Sequence, residues 1–220
     1  MAQPARSSES LVDQFRRDVV TGVYNPRERL VEAELAERYG VTRSALRAAL
    51  LELTAEGLVE RTPNRGARVR ALSFEEGIEI AEVRRVLESL CARRAAVRAT
   101  PEERARLQAI VAEMRAAFDQ QAVARYLEGN STFHSAIHGM ARHSVAARIL
   151  KQLGNLNFNR HFPLAFASPL AAASMAEHQR IGAAIVRGDG EEAEAAMFEH
   201  LTGLILTLQA QAGEGELSTR

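Results

Sequence analysis

The 220-residue sequence contains no tryptophan, a single cysteine and no long hydrophobic run. One cysteine, Cys91, excludes an internal disulfide and any metal site built from several cysteines. No apolar run reaches the roughly 18 to 20 residues that a membrane-spanning helix needs. The opening segment, MAQPARSSES, lacks the apolar core of a secretion signal. We therefore expect a cytoplasmic protein in which Cys91 is a buried, unreactive thiol.

The chain also lacks net charge, because its 28 basic and 28 acidic residues cancel. A composition of 46% apolar and 25% charged residues is typical of a folded protein and excludes a disordered one. The charge is not spread evenly, since residues 1–72 carry twelve arginines against ten acidic residues and the remainder carries sixteen basic against eighteen. Four of those arginines are concentrated near the end of the first part: Arg61, Arg65, Arg68 and Arg70.

The first part of the chain is predicted to form short helices. Ser8 is suited to cap a first helix that ends at Gly22. The apolar positions of this helix recur every four residues: Leu11, Phe15 and Val19. A second helix over about 31–39 and a third over about 43–55 follow from the same kind of periodicity.

A turn and a hairpin complete this first region. Gly40 provides the tight turn between the second and third helices, Thr42 is suited to cap the third, and Gly57 stops it. The segments LVER and ARVRAL flank TPNRG, whose Pro, Asn and Gly favour a turn, so we predict a two-stranded hairpin. Two helices joined by a three-residue turn and followed by a hairpin make a winged helix-turn-helix.

Beyond Ala71 the pattern is almost continuously helical. Capping boxes begin helices at Ser73 and Thr100, and Ser168 and Asp189 are suited to cap two more. Six helices are predicted, at about 74–98, 101–118, 121–140, 143–157, 169–187 and 190–211, with a loop over 158–168. The predicted fold is mainly α, with a winged helix-turn-helix domain over residues 1–72 and an all-helical antiparallel bundle over residues 73–220.

The third helix opens with Arg43, Ser44 and Arg47. On a helical wheel the two arginines lie about 40° apart and Ser44 about 60° beyond Arg47. The apolar positions form a separate arc: Leu46, Ala49 and Leu53. In a helix-turn-helix the corresponding N-terminal residues meet base edges in the major groove, and arginine suits a bidentate contact with guanine or phosphate. Thr42 and the backbone N–H groups of the first turn can hold a phosphate oxygen.

The tip of the predicted hairpin adds a second basic element. Arg65 can reach a minor groove or the DNA backbone, and Gly66 permits a close approach. Double-stranded DNA is therefore the predicted partner of this domain. The alternatives are that the arginines form only a solvated face, or that the winged helix binds a protein.

The segment PRERLVEAELAERYGVTRSALRAALLELTAEGLVERTPNRGARV resembles the DNA-binding domain of the GntR family of bacterial transcription regulators. That family's pattern includes Glu-x-x-Leu-Ala, Gly-Val-Ser/Thr-Arg with an Arg four residues on, Gly-Leu-Val and Asn-Arg-Gly. The resemblance implies DNA contacts by Arg43, Ser44, Arg47, Arg65 and Gly66. Two positions depart from the pattern. Arg27 replaces the usual glycine, which we expect a loop to tolerate, and Ala33 stands where some members carry a further DNA-contacting arginine.

All six histidines lie beyond residue 130: His134, His138, His143, His161, His178 and His200. His178 and His200 are each eleven residues from Asp189, the centre of a predicted turn, so in an antiparallel helix pair they lie at the same height and can face each other. Asn130 and His134 are four residues apart, as are His134 and His138, and spacing alone does not choose between these pairs. Neutral imidazole is the commonest protein ligand for zinc and similar metals.

Residues 74–211 resemble the FadR-type C-terminal ligand-binding domain, called FCD, which is an all-helical bundle. The similar segments are EVRRVLE, NSTFH and EHQRIGAAIVRGDGEEAEAAMFEHL, and the six predicted helices resemble the VanR-like subgroup. The resemblance implies four ligands for a divalent metal ion: Asn130, His134, His178 and His200. Zinc is the expected ion, with nickel or another transition metal as the alternative. His138, His143 and His161 have no match in this pattern.

An anionic effector follows from the same resemblance, because many FCD regulators bind small organic acids. Three neutral imidazoles and the amide of Asn130 leave the charge of a divalent ion uncompensated, so it is expected to bind less tightly than with a carboxylate ligand and to attract an anion. Arg84, in EVRRVLE, can pair with a small carboxylate. Its alternative role is a surface or interhelix salt bridge.

These features predict a ligand-responsive, metal-containing transcription regulator that binds a palindromic operator as a homodimer. Release of a repressor by a small carboxylate is the expected behaviour, since it is the commoner one among relatives. One alternative is the same regulator with a purely structural metal and no carboxylate effector. Another is a metallohydrolase, which lacks an identifiable general base because no His-Glu-x-x-His arrangement is present.

Overall fold

The computed structural model describes residues 10–62, 66–154 and 169–217. The described residues divide into two compact units, one up to Leu72 and the other from Ser73 to Leu153 and from Pro163 onward, of which the helices beginning at Pro169 are described. In the described part of the chain, none of the helices is both long and apolar enough to cross a membrane.

The described residues of the first unit form three helices and three strands. Their order is α1 (Leu11–Thr21), β1 (Arg29–Leu30), α2 (Glu32–Tyr39), α3 (Arg43–Ala55), β2 (Val59–Thr62) and β3 (Gly66–Val69). The strands form an antiparallel sheet in the order β1-β3-β2, in which Arg29 pairs with Arg68 and Glu60 pairs with Arg68 on the other side. This is a winged helix-turn-helix, with α2 and α3 as the helix pair and β2–β3 as the wing strands.

A single apolar core joins these elements. Phe15 of α1 stacks on Tyr24 with ring centroids 5.1 Å apart, and Leu46, Leu50 and Leu53 of α3 are almost completely buried against them. Gly22 and Gly40 end α1 and α2 with φ values of 87° and 63°, as the sequence predicts. Left-handed backbone of this kind costs a residue with a β-carbon about 1–2 kcal/mol, which is why glycine is found at these ends.

One prediction for this unit was wrong and another was incomplete. The side chain of Ser10, not Ser8, accepts the N–H of Asp13 at 3.1 Å and caps α1. The predicted pairing of β2 with β3 is confirmed, and Arg29–Leu30 adds a short third strand to their sheet. Two residues are too few to give a period-two pattern, so the sequence carries no signal for β1.

Arg27 adopts a φ of 67°, so its backbone takes the left-handed conformation that the family's usual glycine favours. The Arg27 N–H nevertheless donates to the Val69 carbonyl at 2.9 Å, which fixes this loop against β3. We predict that Arg27→Gly raises the free energy of unfolding of the first unit by about 1 kcal/mol by removing this strain. Urea denaturation measures the change, and Arg17→Gly, within α1, is the opposite control because glycine destabilises a helix interior.

The second unit consists of helices alone in its described residues. They are α4 (Phe74–Arg98), α5 (Pro101–Asp119), α6 (Val123–Met140), α7 (Ser144–Gly154), α8 (Pro169–Arg187) and α9 (Gly190–Leu217). Because residues 155–168 lie outside the described part, the predicted end of α7 at 157, the loop over 158–168 and the Ser168 cap are not described. The last helix extends six residues beyond its predicted end at 211.

Local sequence signals explain how these helices begin. Thr100 and Glu103 form a complete capping box with Pro101 at the first helical position, and Ser73 accepts the N–H of Glu76 at 3.1 Å. Asp189 accepts the N–H of Glu192 at 3.1 Å in the tight turn between α8 and α9.

The core of the second unit lies among all of its described helices, α4 to α9. Small residues on α4 allow close packing, and Cys91, Ala92, Ala95 and Ala96 are completely buried. Burial, aided by the charge of Glu88, raises the pKa of the Cys91 thiol to about 11. Cys91 is therefore protonated at neutral pH, as expected for an unreactive thiol.

Candidate functional site

The arginine-bearing end of α3 is exposed. Thr42 caps the helix by accepting the N–H of Ala45 at 3.2 Å. Arg43 and Ser44 are exposed, and 62% of the Arg47 side chain is accessible to solvent. Since the apolar arc of α3 faces the core, its polar N-terminal face remains available for a partner.

An acidic residue holds one of these arginines. Glu32, the first residue of α2, accepts the Nε–H of Arg47 at 2.7 Å and lies 4.0 Å from Arg61 of β2. An exposed ion pair of this kind contributes little to stability, typically about 0–1 kcal/mol, so its main effect is to orient the guanidinium. Gly66 begins β3 with a φ of 86° and open space around it, whereas Arg65 lies outside the described residues.

Three histidines meet in the second unit. His134 comes from α6, His178 from α8 and His200 from α9, and one nitrogen of each lies within 4.8 Å of the others. The ring centroids of His178 and His200 are 4.4 Å apart, as their equal distance from the Asp189 turn predicts. The centroid of His134 lies 5.5 Å from that of His178 and 5.6 Å from that of His200.

Two glutamates that the sequence analysis did not single out hold two of these rings. Glu88 on α4 is 1% exposed, and its Oε2 lies 2.6 Å from Nδ1 of His134. Glu177 on α8 lies 2.8 Å from Nδ1 of His200. A signal for Glu88 was present in the sequence, because it is an acidic residue on a helix face that carries the small residues Gly77, Ala81, Cys91 and Ala95 as well as Arg84.

His178 is the unpaired member of the cluster. Both of its ring nitrogens are buried and have no hydrogen-bond partner among the described residues. The rings of Phe133 and Tyr126 lie 5.2 and 6.5 Å away by centroid, so the surroundings are largely apolar. Such a nitrogen needs a partner, and a metal ion accepts the imidazole lone pair. The cluster could therefore hold a metal ion.

The charge states of these groups suit metal binding. Burial, and next the proximity of the other two imidazoles, lowers the pKa of His178 well below its ordinary value. The backbone of Ser174, which does not meet hydrogen-bond geometry with either ring nitrogen, offsets this shift only partly. Burial also lowers the pKa of His134, although Glu88 opposes this shift. Both rings are thus neutral near pH 7, which is the form that ligates a metal.

Glu88 remains ionised despite its burial. Burial alone raises the pKa of a carboxyl, but the charge of Arg84 and hydrogen bonds from His134 and His138 hold the pKa of Glu88 well below its usual range. Arg84, one helical turn before Glu88 on α4, stabilises the ionised carboxylate through an ion pair in which its Nε lies 2.8 Å from Oε1 of Glu88.

The remaining predicted residues take different places. Asn130 is half-buried on α6, one turn before His134. His138 does not join the three-histidine cluster, and its Nε2 lies 3.4 Å from Glu88. His143 accepts the N–H of Ala146 at the start of α7, at 3.3 Å, while His161 lies outside the described residues.

Both halves of the chain match known families. Residues 7–69 match the family described as "Bacterial regulatory proteins, gntR family", and residues 79–203 match the family described as "FCD domain". The chain is 27% identical over 188 residues to the HTH-type transcriptional repressor RspR of Escherichia coli K12, covering 85% of this chain and 82% of that protein. It is 29% identical over 204 residues to the Uxu operon transcriptional regulator of the same organism, covering 83% and 79%. The solved structure of E. coli McbR/YncC shares the fold, with a TM-score of 0.77, 21% identity and coverage of 91% and 95%.

Proposed function

The chain belongs to the GntR family of bacterial regulatory proteins with an FCD domain, and on this basis we propose that it is a metal-containing homodimer that binds a palindromic operator and responds to a small carboxylate. It is a DNA-binding transcription regulator, not an enzyme, so the metallohydrolase alternative is dropped. We propose that the protein represses transcription and that the effector releases it from the operator; the relative RspR is likewise named as a repressor.

The exposed N-terminal face of α3 carries the DNA-binding part of the proposal. Arg43, Ser44 and Arg47 enter the major groove, where Arg47 reads a guanine or a phosphate. Glu32 occupies the Nε–H of Arg47, which directs the two terminal amino groups of its guanidinium toward a bidentate acceptor. The wing residues Arg65 and Gly66 and the first turn after Thr42 contact the DNA backbone.

A palindromic operator requires a two-fold symmetric dimer of the regulator. Two copies of α3 bind half-sites about one helical turn, or a multiple of it, apart, which a two-fold dimer presents by its own symmetry. An effector that binds better to one arrangement of the dimer shifts the population toward it and changes operator affinity.

The three-histidine cluster carries the second part of the proposal. His134, His178 and His200, with Asn130 as the fourth ligand, hold a divalent ion, with zinc first and nickel or another transition metal as the alternative. Such an ion supplies positive charge and open coordination positions for a small carboxylate. Arg84 lies on α4 beside this cluster and provides the cationic side chain for the same acid.

One observation favours a second candidate, in which the metal is purely structural and no carboxylate effector binds. Arg84 is already paired with the buried carboxylate of Glu88, as in the salt-bridge role that was its alternative. A thermal-shift screen of small carboxylic acids against the zinc-loaded protein separates the two candidates. A stabilising acid supports the effector, and uniformly unchanged melting temperatures support the structural metal.

Replacing Arg47 with alanine tests the DNA-binding proposal. The change is expected to weaken binding by about 1–3 kcal/mol, or roughly 5- to 150-fold, and to relax base preference at one position of each half-site. The operator is first selected from a random duplex library with the wild-type protein. Fluorescence anisotropy on that operator and on an unrelated duplex then gives both affinities over a salt series.

Arg148→Ala is the charge-matched control, because Arg148 is exposed on α7 in the other unit. It is expected to bind the operator as the wild type does. Equal affinity of Arg47→Ala and Arg148→Ala contradicts the role of Arg47. A wild-type affinity that is independent of salt contradicts phosphate contacts altogether.

A further inference from the structure

We propose that Glu88 and Glu177 are positioning residues of the metal site, each fixing one histidine ring with Nε2 directed to the ion and together supplying the negative charge that Asn130 does not. This inference rests on the metal that is part of the proposed function. It concerns two residues that ligate no metal themselves and that come from helices other than those of the rings they hold.

The Glu88 contact determines the tautomer of His134. A neutral imidazole has one N–H and one lone pair, and an ionised carboxylate can only accept a hydrogen bond. Because Oε2 of Glu88 lies 2.6 Å from Nδ1 of His134, that nitrogen must carry the proton. The lone pair is then on Nε2, the nitrogen left for the metal. Since Glu88 is 1% exposed, no solvent molecule competes easily for this hydrogen bond.

Glu177 does the same for His200 from a different helix. It neighbours His178 in sequence, yet its Oε2 lies 2.8 Å from Nδ1 of His200 across the α8–α9 pair. The side chain of Glu177 is 34% exposed and that of His200 is 10% exposed. Two histidines from two helices are thus held in the same tautomer by two carboxylates, an arrangement that recurs around protein metal ions.

Charge compensation is the second consequence. Three neutral imidazoles and an amide provide no negative charge for a divalent ion. The two glutamates each add one negative charge, separated from the ion only by the imidazole ring that the glutamate holds. Arg84 returns one positive charge through its 2.8 Å ion pair with Glu88. The site therefore carries a net outer charge of about minus one, so it favours the cation even without a carboxylate ligand.

The competing explanation is that Glu88 only neutralises the charge of Arg84, and that Glu177 is only a surface hydrogen-bond partner of His200. That explanation requires no effect on metal affinity and no fixed tautomer. The two explanations differ most clearly at Glu177, whose exposure allows substitution without leaving a buried charge unpaired.

The experiment compares Glu177→Gln, Glu88→Gln and a control, Glu113→Gln, in which an exposed acidic residue on α5 is changed. Zinc affinity of the full chain is measured by competition with a chromophoric chelator at one pH above the ordinary imidazole value. Both site variants are expected to bind zinc about 10- to 100-fold more weakly than the wild type, and the control equally well. Glu177→Gln keeps the test valid if Glu88→Gln fails to fold.

A second readout needs no metal. Nitrogen-15 spectra of the metal-free protein report which ring nitrogen carries the proton. In the wild type, His134 and His200 are expected to be protonated at Nδ1, and Glu177→Gln is expected to shift His200 toward a mixture of tautomers with unchanged backbone amide signals.

The outcomes separate this inference from the proposed function. A wild type that binds zinc, with Glu177→Gln within twofold of it, overturns the positioning role alone. Protonation of His200 at Nε2 in the wild type overturns it as well. A wild type that binds no transition metal refutes the metal site and this inference together.

Discussion

A His178→Leu chain is expected to lose the proposed zinc binding and yet, without metal, to be more stable than the metal-free wild type. The substitution removes one of three imidazole ligands. It also removes two buried nitrogens that have no hydrogen-bond partner among the described residues. An unsatisfied buried polar group costs about 1–3 kcal/mol, and leucine places apolar atoms beside Phe133 at similar volume. We expect the metal-free variant to gain about 1–2 kcal/mol.

Thermal unfolding with and without a chelator measures both effects. Zinc at a hundredfold excess over its dissociation constant stabilises the native state by about 2.7 kcal/mol. For a chain of this size this corresponds to a fall of roughly 5–10 °C in the wild-type melting temperature on chelation. The variant is expected to melt at the same temperature in both conditions.

His134→Leu is the matched control. It also removes one ligand, but it leaves the buried carboxylate of Glu88 without the imidazole that lies 2.6 Å away. The two variants are therefore expected to lose zinc equally and to differ in sign without metal, with His134→Leu destabilised. A chelator-sensitive melting temperature in His178→Leu contradicts the ligand role. Destabilisation of that variant without metal contradicts the account of its unpaired nitrogens.

The pH dependence of the metal-free protein follows from the same burial. The pKa of His178 is lowered in the folded state, so below about pH 6.5 the unfolded chain binds a proton that the folded chain does not. Stability therefore falls as the pH decreases from that value, by up to about 1.4 kcal/mol per pH unit for one proton. His134 acts in the same direction because its pKa is also lowered. His178→Leu is expected to reduce this slope in urea denaturation but not to abolish it.

Much of the DNA-binding unit could be predicted because its signals are local. Gly40 and the Thr42 cap fix where α2 ends and α3 begins, and this decides which arginines stand at the helix start. The family glycine that Arg27 replaces could be noticed from sequence, but only the backbone shows that the position has a φ of 67°. The ion pair between Glu32 and Arg47 joins residues fifteen positions apart on two helices and has no local signature.

The three-histidine cluster was predictable only in its histidines. Equal distances from the Asp189 turn place His178 and His200 together, and the resemblance adds His134. The glutamates were missed because their partners lie on other helices, with 46 residues between Glu88 and His134. A charge count over the proposed ligands alone therefore underestimated the negative charge around the three histidines. Contacts set by helix packing, not by spacing along one helix, supply that part of the site.

Arg104→Met is expected to be strongly destabilising although Arg104 lies outside the cluster. The Arg104 guanidinium donates to the carbonyls of Ala96 and Ala99 at the end of α4, at 2.8 and 3.2 Å, and to those of Ile185 and Val186 at the end of α8, at 3.0 and 2.5 Å. One charged side chain thus satisfies the terminal carbonyls of two helices, whose C-terminal ends carry partial negative charge. Methionine keeps part of the apolar stem but donates nothing. Because each hydrogen bond to a charged group contributes about 1.5–3 kcal/mol and water replaces some of them, we expect a loss of about 3 kcal/mol.

Urea denaturation of the whole chain, followed by circular dichroism, measures this loss, and Arg106→Met on the exposed side of α5 is the matched control. Arg104→Lys is expected to recover only part of the stability, since an ammonium group has three donors and cannot span two helix ends as the planar guanidinium does. Gly188→Ala provides an independent check on these contacts of Arg104. The added β-carbon would lie 3.3 Å from a terminal nitrogen of Arg104, and the backbone φ at Gly188 is 79°. Full stability of Arg104→Met, or equal losses in Arg104→Met and Arg106→Met, would show that water replaces these four contacts without cost.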